Sequence, residues 1–446
     1  MSKRNFILLI TVLVLAVSGV FVFWSSRPTG TAPTDSGTGT NFFSQFNPFG
    51  TKPTPPAVTP PTDVSGYVPP SSGETADAKL LKVSSMPIAG FGLFSKERIK
   101  ETTPQSLPLS GEEDSIPPAK GGSGGLKKPL TEFKTAVRYV AKATGNIYQT
   151  FADKIEEKKF SVTTIPKVYD SYFGNRDESV VMRYLKADNK TIETFVGNLP
   201  KEYLGTDPNT NNEIKGSFLP DNVKDISISP DTLKMFYLFE SGNNMIGTTL
   251  NFSDNKKVQV FDSPFTEWLS QWGSSNTIIL ATKPSGGIPG YVYSLDLVKK
   301  NLTKIFGEIN GLTTLGSSNG RLILFGDSNL LLNIYHTDSR NSDILGVRTL
   351  PEKCVWGKIS DTVYCAVPKL IIPNIYPDSW YQGEVSFNDQ LWKIDIKTGN
   401  ATLILNPTTV VGGEEVDGIK LALDEGENYL FFINKKDSFL WGLELK

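Results

Sequence analysis

The chain has 446 residues, enough for two or three average domains or for one large all-β domain with appendages. Its 45 basic and 47 acidic residues give a net charge of −2, which argues against nucleic acid or an anionic lipid surface as a partner of the folded body. The single His largely excludes mechanisms that need a His base or several His ligands, while 26 Phe, 15 Tyr, 7 Trp, 39 Gly and 29 Pro favour strands and turns over helices.

An apolar segment comes first. Residues 1–4 carry Lys3 and Arg4, and the 19 residues from Phe6 to Trp24 contain no ionisable group. As a helix this run would span roughly 29 Å, so we predict a transmembrane signal anchor over residues 5–24, with a cytoplasmic N-terminus and the body outside the cytoplasm. The alternative is a signal peptide cleaved after Ala16-Val17-Ser18.

Residues 25–78 are rich in Pro, Thr, Gly and Ser and predict a flexible tether. Its middle carries Phe42, Phe43, Phe46 and Phe49, an unusual density of Phe for a linker. We interpret these four residues as a short docking motif for a membrane neighbour. The alternative is a segment that rests on the bilayer or on the folded body.

From residue 79 onward the pattern is that of strands, and no convincing amphipathic helix is present. Seven segments can serve as the third strand of a four-stranded unit, and their starts are 45, 56, 44, 41, 58 and 49 residues apart, which brackets the roughly 40–50 residues of a propeller blade. The segments are Asn146–Phe151, Thr191–Val196, Gly247–Phe252, Tyr291–Leu297, Leu332–Thr337, Gln390–Ile396 and Phe439–Leu445.

Most of these segments follow a pair of strands joined by a polar turn. In one pair, Ser229-Pro230-Asp231 precedes Lys234-Met235-Phe236-Tyr237, and this resembles the signature of TolB-like, WD-repeat-type β-propellers, with Thr232 where that family has Gly. The resemblance covers residues 79–446. It implies a propeller fold and says almost nothing about activity.

The last unit lacks an outer strand because the chain ends at Lys446, and a spare strand, Lys79–Ser85, precedes the first unit. We therefore predict that residues 79–446 form an all-β, seven-bladed propeller closed by this N-terminal strand, which removes an open sheet edge.

Three insertions interrupt the repeat at residues 100–128, 201–223 and 366–388. The second and third are expected on the same face of the ring, and the first on the opposite face. The third contains Tyr376, Asp378, Trp380 and Tyr381, which we interpret as an exposed binding surface for a protein or a glycan. The alternative is that these aromatics cover the ring locally.

Cys354 and Cys365 flank a two-residue turn at Ile359-Ser360, so they face each other across a hairpin and could form a disulfide. The alternative is two buried free thiols. His336 lies within a repeat strand and is expected to be structural. No nucleophile, phosphate-binding or dinucleotide motif is present, so we predict no catalytic residue, no metal site and no cofactor.

Together these patterns predict a noncatalytic binding or scaffold module, anchored in the membrane and acting on envelope or cell-surface proteins or glycans. The alternative is an enzyme, a glycan hydrolase or lyase that uses carboxylates in the central channel, because acid–base chemistry does not require His.

Overall fold

The computed structural model describes residues 79–100, 130–202 and 212–445, all within one compact unit, Thr62–Lys446. These residues form seven four-stranded antiparallel sheets, which confirms the predicted all-β, seven-bladed propeller. Across the described ranges, no helix has both the length and the apolar character needed to cross a membrane. The predicted anchor, the tether and the motif of Phe42, Phe43, Phe46 and Phe49 lie outside the described residues.

Blades one to three contain strands β2 to β13, four consecutive strands in each blade. Their bounds are β2 Ile88–Ile99, β3 Thr131–Ala141, β4 Ile147–Phe151, β5 Lys158–Lys159; β6 Val168–Gly174, β7 Ser179–Leu185, β8 Ile192–Asn198, β9 Lys215–Phe218; β10 Val223–Ile228, β11 Lys234–Ser241, β12 Asn244–Asn251 and β13 Lys257–Ser263.

Blades four to six contain strands β14 to β25, and blade seven combines the last three of the described strands with the first of them. The bounds are β14 Trp268–Ser274, β15 Thr277–Thr282, β16 Pro289–Asp296, β17 Leu302–Asn310; β18 Thr313–Gly316, β19 Leu322–Gly326, β20 Leu331–His336, β21 Asn341–Arg348; β22 Cys354–Trp356, β23 Thr362–Pro368, β24 Asp389–Asp395, β25 Ala401–Leu405; β26 Gly418–Leu423, β27 Tyr429–Asn434, β28 Leu440–Glu444 and β1 Leu80–Lys82.

Regular helix in the described ranges is limited to one short α-helix and two 3₁₀ turns. The helix α1 covers Asp378–Tyr381, and the 3₁₀ turns cover Pro351–Lys353 and Pro407–Thr409. Each of the seven segments predicted as a third strand occupies the third position of its sheet. The first strands of several neighbouring blades lie against each other, as β2 lies against β6 and β10 against β14, so they surround the axis of the ring.

The turn at Ser229 shows why the family-like motif forms its hairpin. The Ser229 hydroxyl donates to Asp231 Oδ1 over 2.6 Å and accepts from the amide of Lys234 over 2.9 Å, which holds the turn closed. Thr232 takes a φ of +61°, the left-handed conformation that favours Gly. The equivalent turn of blade five has Gly320 at a φ of +69°.

The core lies between the blades. One cluster joins blades three and four through Phe236, Leu238, Trp268 and Leu280, among others. Another joins blade seven to blade one and includes Phe431 and Val137. Each blade therefore buries both faces of its sheet against its neighbours, which is how a ring of small sheets obtains a core.

The first strand in the described residues, β1, lies at the outer edge of blade seven. It pairs antiparallel with β28, with Leu80 opposite Leu443 and Lys82 opposite Trp441. Leu80 and, just after the strand, Val83 are buried.

Candidate binding surface on the loop face

The longest described insertion is the blade-six loop, residues 369–388, between β23 and β24. It emerges on the loop face, the face that carries the loops between blades and those between second and third strands. Within it, the Asn374 side-chain oxygen accepts hydrogen bonds from the Ile375 amide over 2.9 Å and from the Ser379 hydroxyl over 2.7 Å, and α1 begins four residues after Asn374. The loop is therefore a structured element whose position is set by side chains.

Two of the aromatics predicted to be exposed are buried, so that expectation is wrong for Tyr376 and Trp380, each only 3% exposed. They belong to a small apolar cluster with Leu350, Ile371 and Phe387. The physical reason is that a 20-residue loop needs its own anchor, and these rings supply one by packing on the blades beneath. The alternative interpretation, local coverage of the ring, describes these two residues.

Asp378 and Tyr381 also have partners within the protein. Asp378 Oδ2 accepts a hydrogen bond of 2.6 Å from the amide of Gly286, which ties the blade-six loop to the loop between β15 and β16 of blade four. Tyr381 is 41% exposed, and its hydroxyl donates to Glu352. Burial of the hydroxyl and the nearby Glu352 carboxyl raise the Tyr381 pKa well above its ordinary value.

The exposed apolar surface of this loop consists of aliphatic side chains that the sequence analysis did not select. Leu370, Ile372 and Ile375 are 41%, 57% and 65% exposed. Ile375 lies beside Gly286, and Ile288, two residues after Gly286, is 63% exposed. The sequence did contain a sign of this exposed surface. In the run Lys369-Leu-Ile-Ile-Pro, three consecutive aliphatic side chains cannot all face a core. We name Leu370, Ile372, Ile375 and Ile288 the aliphatic patch.

The base of the blade-six loop rests on a buried charged cluster. Lys353, Asp389 and Asp417 have fully buried side chains, and Lys353 Nζ lies 2.8 Å from Asp389 Oδ2 and in contact with Asp417 Oδ1. Burial works against the Lys353 charge, but the two carboxylates outweigh it and raise the Lys353 pKa. Burial raises the pKa of Asp389 to about 6, whereas Lys353 and its other donors hold the Asp417 pKa below its ordinary value despite burial.

Polar side chains from the first strands meet near the axis of the ring. Asp170 of β6 forms an ion pair of 3.1 Å with Arg183, accepts a hydrogen bond of 2.8 Å from Tyr172 and contacts Lys420 of β26. Burial opposes its charge, but Lys420 and Arg183 outweigh burial and lower the Asp170 pKa. Asp225 of β10 accepts a hydrogen bond of 2.8 Å from the Ser270 hydroxyl, and burial raises its pKa.

A concave surface lies between blades three and four at their outer edge. It encloses about 720 Å³, and Phe265, 73% exposed, lies among its lining residues. The Trp268 ring contacts Phe261 and Tyr293 edge-on, with centroids 5.8 and 5.5 Å apart. Ligand sites are commonly concave and aromatic, but this surface has only a few charged groups, Asp262 and Lys300.

The two cysteines and the histidine each contact a residue of a neighbouring strand. Cys354 and Cys365 lie directly opposite each other in β22 and β23 and form a disulfide with a Cα separation of 4.0 Å. His336 Nε2 lies 3.1 Å from Asp343 Oδ2 on the neighbouring strand β21. Within residues 79–100, 130–202 and 212–445, no three or more His, Cys, Asp or Glu side chains are grouped so as to hold a metal ion.

No known family model matches the chain, and no curated protein matches its sequence. Solved structures do match its fold. An oligogalacturonate lyase from Vibrio parahaemolyticus is 7% identical with a TM-score of 0.48, covering 70% of this chain and 86% of the other. TolB from Acinetobacter baumannii is 9% identical with a TM-score of 0.38, covering 70% and 76%. The tricorn protease is 9% identical with a TM-score of 0.43, covering 68% and 31%. TolB is thus among the neighbours, and identities this low say nothing about the activity of this chain.

Proposed function

We propose that the chain is a noncatalytic, membrane-anchored module that binds a protein partner outside the cytoplasm through its loop face. The observation that carries the proposal is the aliphatic patch. Each of its four side chains is more than 40% exposed, and the loop beneath is fixed by buried rings and by the Asp378 contact to blade four. When a partner covers apolar side chains on a fixed loop, their removal from water lowers the free energy of the complex.

The chemistry of the patch favours a protein over a glycan as the partner. Leu and Ile offer no hydrogen bond to sugar hydroxyls, whereas burial of their surface contributes about 25 cal/mol per Å² against an apolar protein surface. The alternative of glycan hydrolysis or lysis needs a carboxylate free to exchange protons in the channel. Asp170 is instead bonded to Arg183, Lys420 and Tyr172, and Asp225 accepts hydrogen bonds from the amide and the hydroxyl of Ser270. Both carboxylates are thus engaged within the protein, which supports the binding function.

Anchoring is part of the same proposal. The run Phe6–Trp24 would hold the chain in the membrane, and residues 25–78 would let the propeller reach a partner at the envelope. The four Phe of the tether would dock on a membrane neighbour. We also propose that β1 closes the ring, because its pairing with β28 completes the fourth position of blade seven.

The test compares two charged double variants of the full chain in intact envelopes. Ile372→Asp together with Ile375→Asp places two charges in the patch, whereas the matched control, Val298→Asp with Ile344→Asp, alters two aliphatics that are 75% and 65% exposed elsewhere. We expect crosslinking and co-purification to recover the same envelope protein with the wild type and the control, and at least tenfold less with the patch variant. Equal recovery from both variants would contradict the proposal.

A further inference from the structure

A lysine and two aspartates meet in the interior at the junction of blades six and seven. Lys353 immediately precedes β22, Asp389 begins β24, and Asp417 immediately precedes β26, so three separate strands fix their positions. All three side chains are completely buried. In the proposed binding function this cluster serves only as a support beneath the blade-six loop.

If all three side chains are charged, the cluster is energetically unfavourable. One ammonium and two carboxylates leave one excess negative charge among the three side chains, and burying charged groups is strongly unfavourable unless their pairing is complete. Pairing is incomplete, because Asp389 Oδ1 is buried without a hydrogen-bond partner among the described residues. Two aromatic rings pack against the lysine, since those of Trp380 and Phe387 each lie 5.3 Å from Lys353 Nζ.

The donors around Asp417 are arranged asymmetrically. Oδ2 accepts hydrogen bonds from the Trp380 indole over 2.9 Å, the Phe387 amide over 3.0 Å and the Ser386 hydroxyl over 3.1 Å, and the indole also lies 3.2 Å from Oδ1. Oδ1 is the oxygen in contact with Lys353 Nζ. Three fixed donors on one carboxyl oxygen are the arrangement that stabilises the oxyanion of a tetrahedral intermediate.

From this geometry we propose that Lys353 and Asp417 join in a covalent isopeptide bond, with Asp389 as the proton relay. Asp389 takes one proton from the Lys353 ammonium and passes it to Oδ1 of Asp417, and the neutral amine attacks Cγ of the resulting carboxylic acid. The new C–N bond forms, the negative charge collects on Oδ2 among its three donors, and the C–Oδ1 bond breaks. Oδ1 leaves as water with two protons that came from the ammonium through Asp389, which returns to its starting state.

Two physical effects drive this condensation. The amide replaces a buried ammonium and a buried carboxylate, so the interior loses two charges and their desolvation cost. The reacting groups lie in contact within one folded chain, and well-oriented intramolecular positioning is worth effective concentrations of about 10⁵–10⁸ M. Burial of Asp389, which raises its pKa to about 6, makes it a better proton carrier than an exposed carboxylate.

One competing reaction also releases water and must be separated from the isopeptide bond. Gly418 follows Asp417, and attack of the Gly418 amide on the Asp417 side chain would give a succinimide. The structure holds that amide elsewhere, because it donates a 2.6 Å hydrogen bond to Asp389 Oδ2. A succinimide leaves the peptides of Lys353 and Asp417 separate, whereas an isopeptide bond joins them.

The test is peptide mapping of the full chain by tandem mass spectrometry after reduction and alkylation, which opens the disulfide of Cys354 and Cys365. We expect one joined species that contains Lys353 and Asp417 and lacks the mass of one water, with no trypsin cleavage after Lys353. Separate peptides of unchanged mass would overturn the proposal, as would a succinimide at Asp417. A link from Lys353 to Asp389 would overturn the roles given to the two aspartates.

Two variants test the relay and the specificity. Asp389→Asn keeps the shape of the side chain but cannot carry a proton, so we expect at least a tenfold loss of the joined species, with circular dichroism like that of the wild type. Lys283→Met removes an exposed lysine that pairs with Glu267 over 3.0 Å and should leave the joined species unchanged. Full joining in Asp389→Asn would overturn the relay.

Discussion

Blade three and blade seven have the same sheet order but obtain their strands from different parts of the chain. Blade three runs without interruption from Val223 to Ser263, and each of its strands follows the previous one through a short turn. Blade seven takes three strands from Gly418–Glu444 and its outer strand from Leu80–Lys82. Local turn chemistry can therefore specify blade three, whereas blade seven also needs a pairing across almost the whole chain, which carries a loop-closure cost.

Blades three and seven share one type of contact to the preceding blade. In the turn between the first and second strands, a residue in the left-handed conformation sends its side chain to the backbone of the preceding blade. Thr232 of blade three has a φ of +61° and accepts a 2.8 Å hydrogen bond from the amide of Arg176 in blade two. Glu427 of blade seven has a φ of +50° and accepts one of 2.6 Å from the amide of Lys358 in blade six. Neighbouring blades are thus tied together at their turns as well as through their cores.

The largest difference between the blades should appear when the outer strand of blade seven is removed. We compare a chain lacking residues 1–78 with one lacking residues 1–86. The second loses buried Leu80 and Val83 and the 2.7 Å hydrogen bond from the Val83 amide to the Leu440 carbonyl. We expect it to be less stable by roughly 3–6 kcal/mol, since each buried side chain contributes about 1.5–3 kcal/mol.

Thermal and denaturant unfolding of the two truncated chains, measured side by side with light scattering, tests this expectation. The shorter chain should also associate through the opened edge of blade seven. Equal midpoints and equal solubility would show that β1 contributes nothing to closing the ring, and blade seven would then be as self-sufficient as blade three.

The two blades should differ less in how much stability they lose when a central glycine is replaced by alanine. A Cβ on Gly247 of blade three would lie 2.5 Å from Phe236 Cζ and 2.8 Å from Phe261 Cβ, whereas a Cβ on Gly442 of blade seven would lie no closer than 2.9 Å to Phe431. We expect Gly247→Ala to lower the free energy of unfolding by about 1–3 kcal/mol and Gly442→Ala by about 1 kcal/mol or less. Urea unfolding of both variants measures the difference. A larger loss in Gly442→Ala would mean that blade seven is the more tightly packed.

The strands of the blades could be predicted from the sequence, whereas contacts between distant residues could not. Alternation and polar turns identified the third strand of every blade, because each hairpin is encoded by neighbouring residues. The blade-six loop was harder, since aromatic residues on a loop are equally consistent with a binding surface and with a local core. Only packing decides that Trp380 is buried and Ile375 exposed. The cluster of Lys353, Asp389 and Asp417 could not be predicted, because three residues far apart in sequence meet only when blades six and seven are assembled.

The smallest effect concerns Thr232, the residue that stands where TolB-like propellers have Gly. Thr232→Ala keeps the left-handed strain and loses the hydrogen bond from Arg176, so we expect a loss of about 1 kcal/mol in the free energy of unfolding. Thr232→Gly loses the same bond but relieves roughly 1 kcal/mol of backbone strain. The Gly variant should therefore be close to the wild type and about 1 kcal/mol more stable than the Ala variant.

Glu427 of blade seven is the matched site, because its side chain makes the equivalent bond to Lys358. Denaturant unfolding of Glu427→Ala and Glu427→Gly should give the same order, with Gly the more stable of the two. If Ala were as stable as Gly at both sites, backbone strain would have no measurable cost there. If the order held in blade three alone, the left-handed conformation would have a measurable energetic cost at Thr232 and none at Glu427, so the two turns would share their geometry but not their backbone strain.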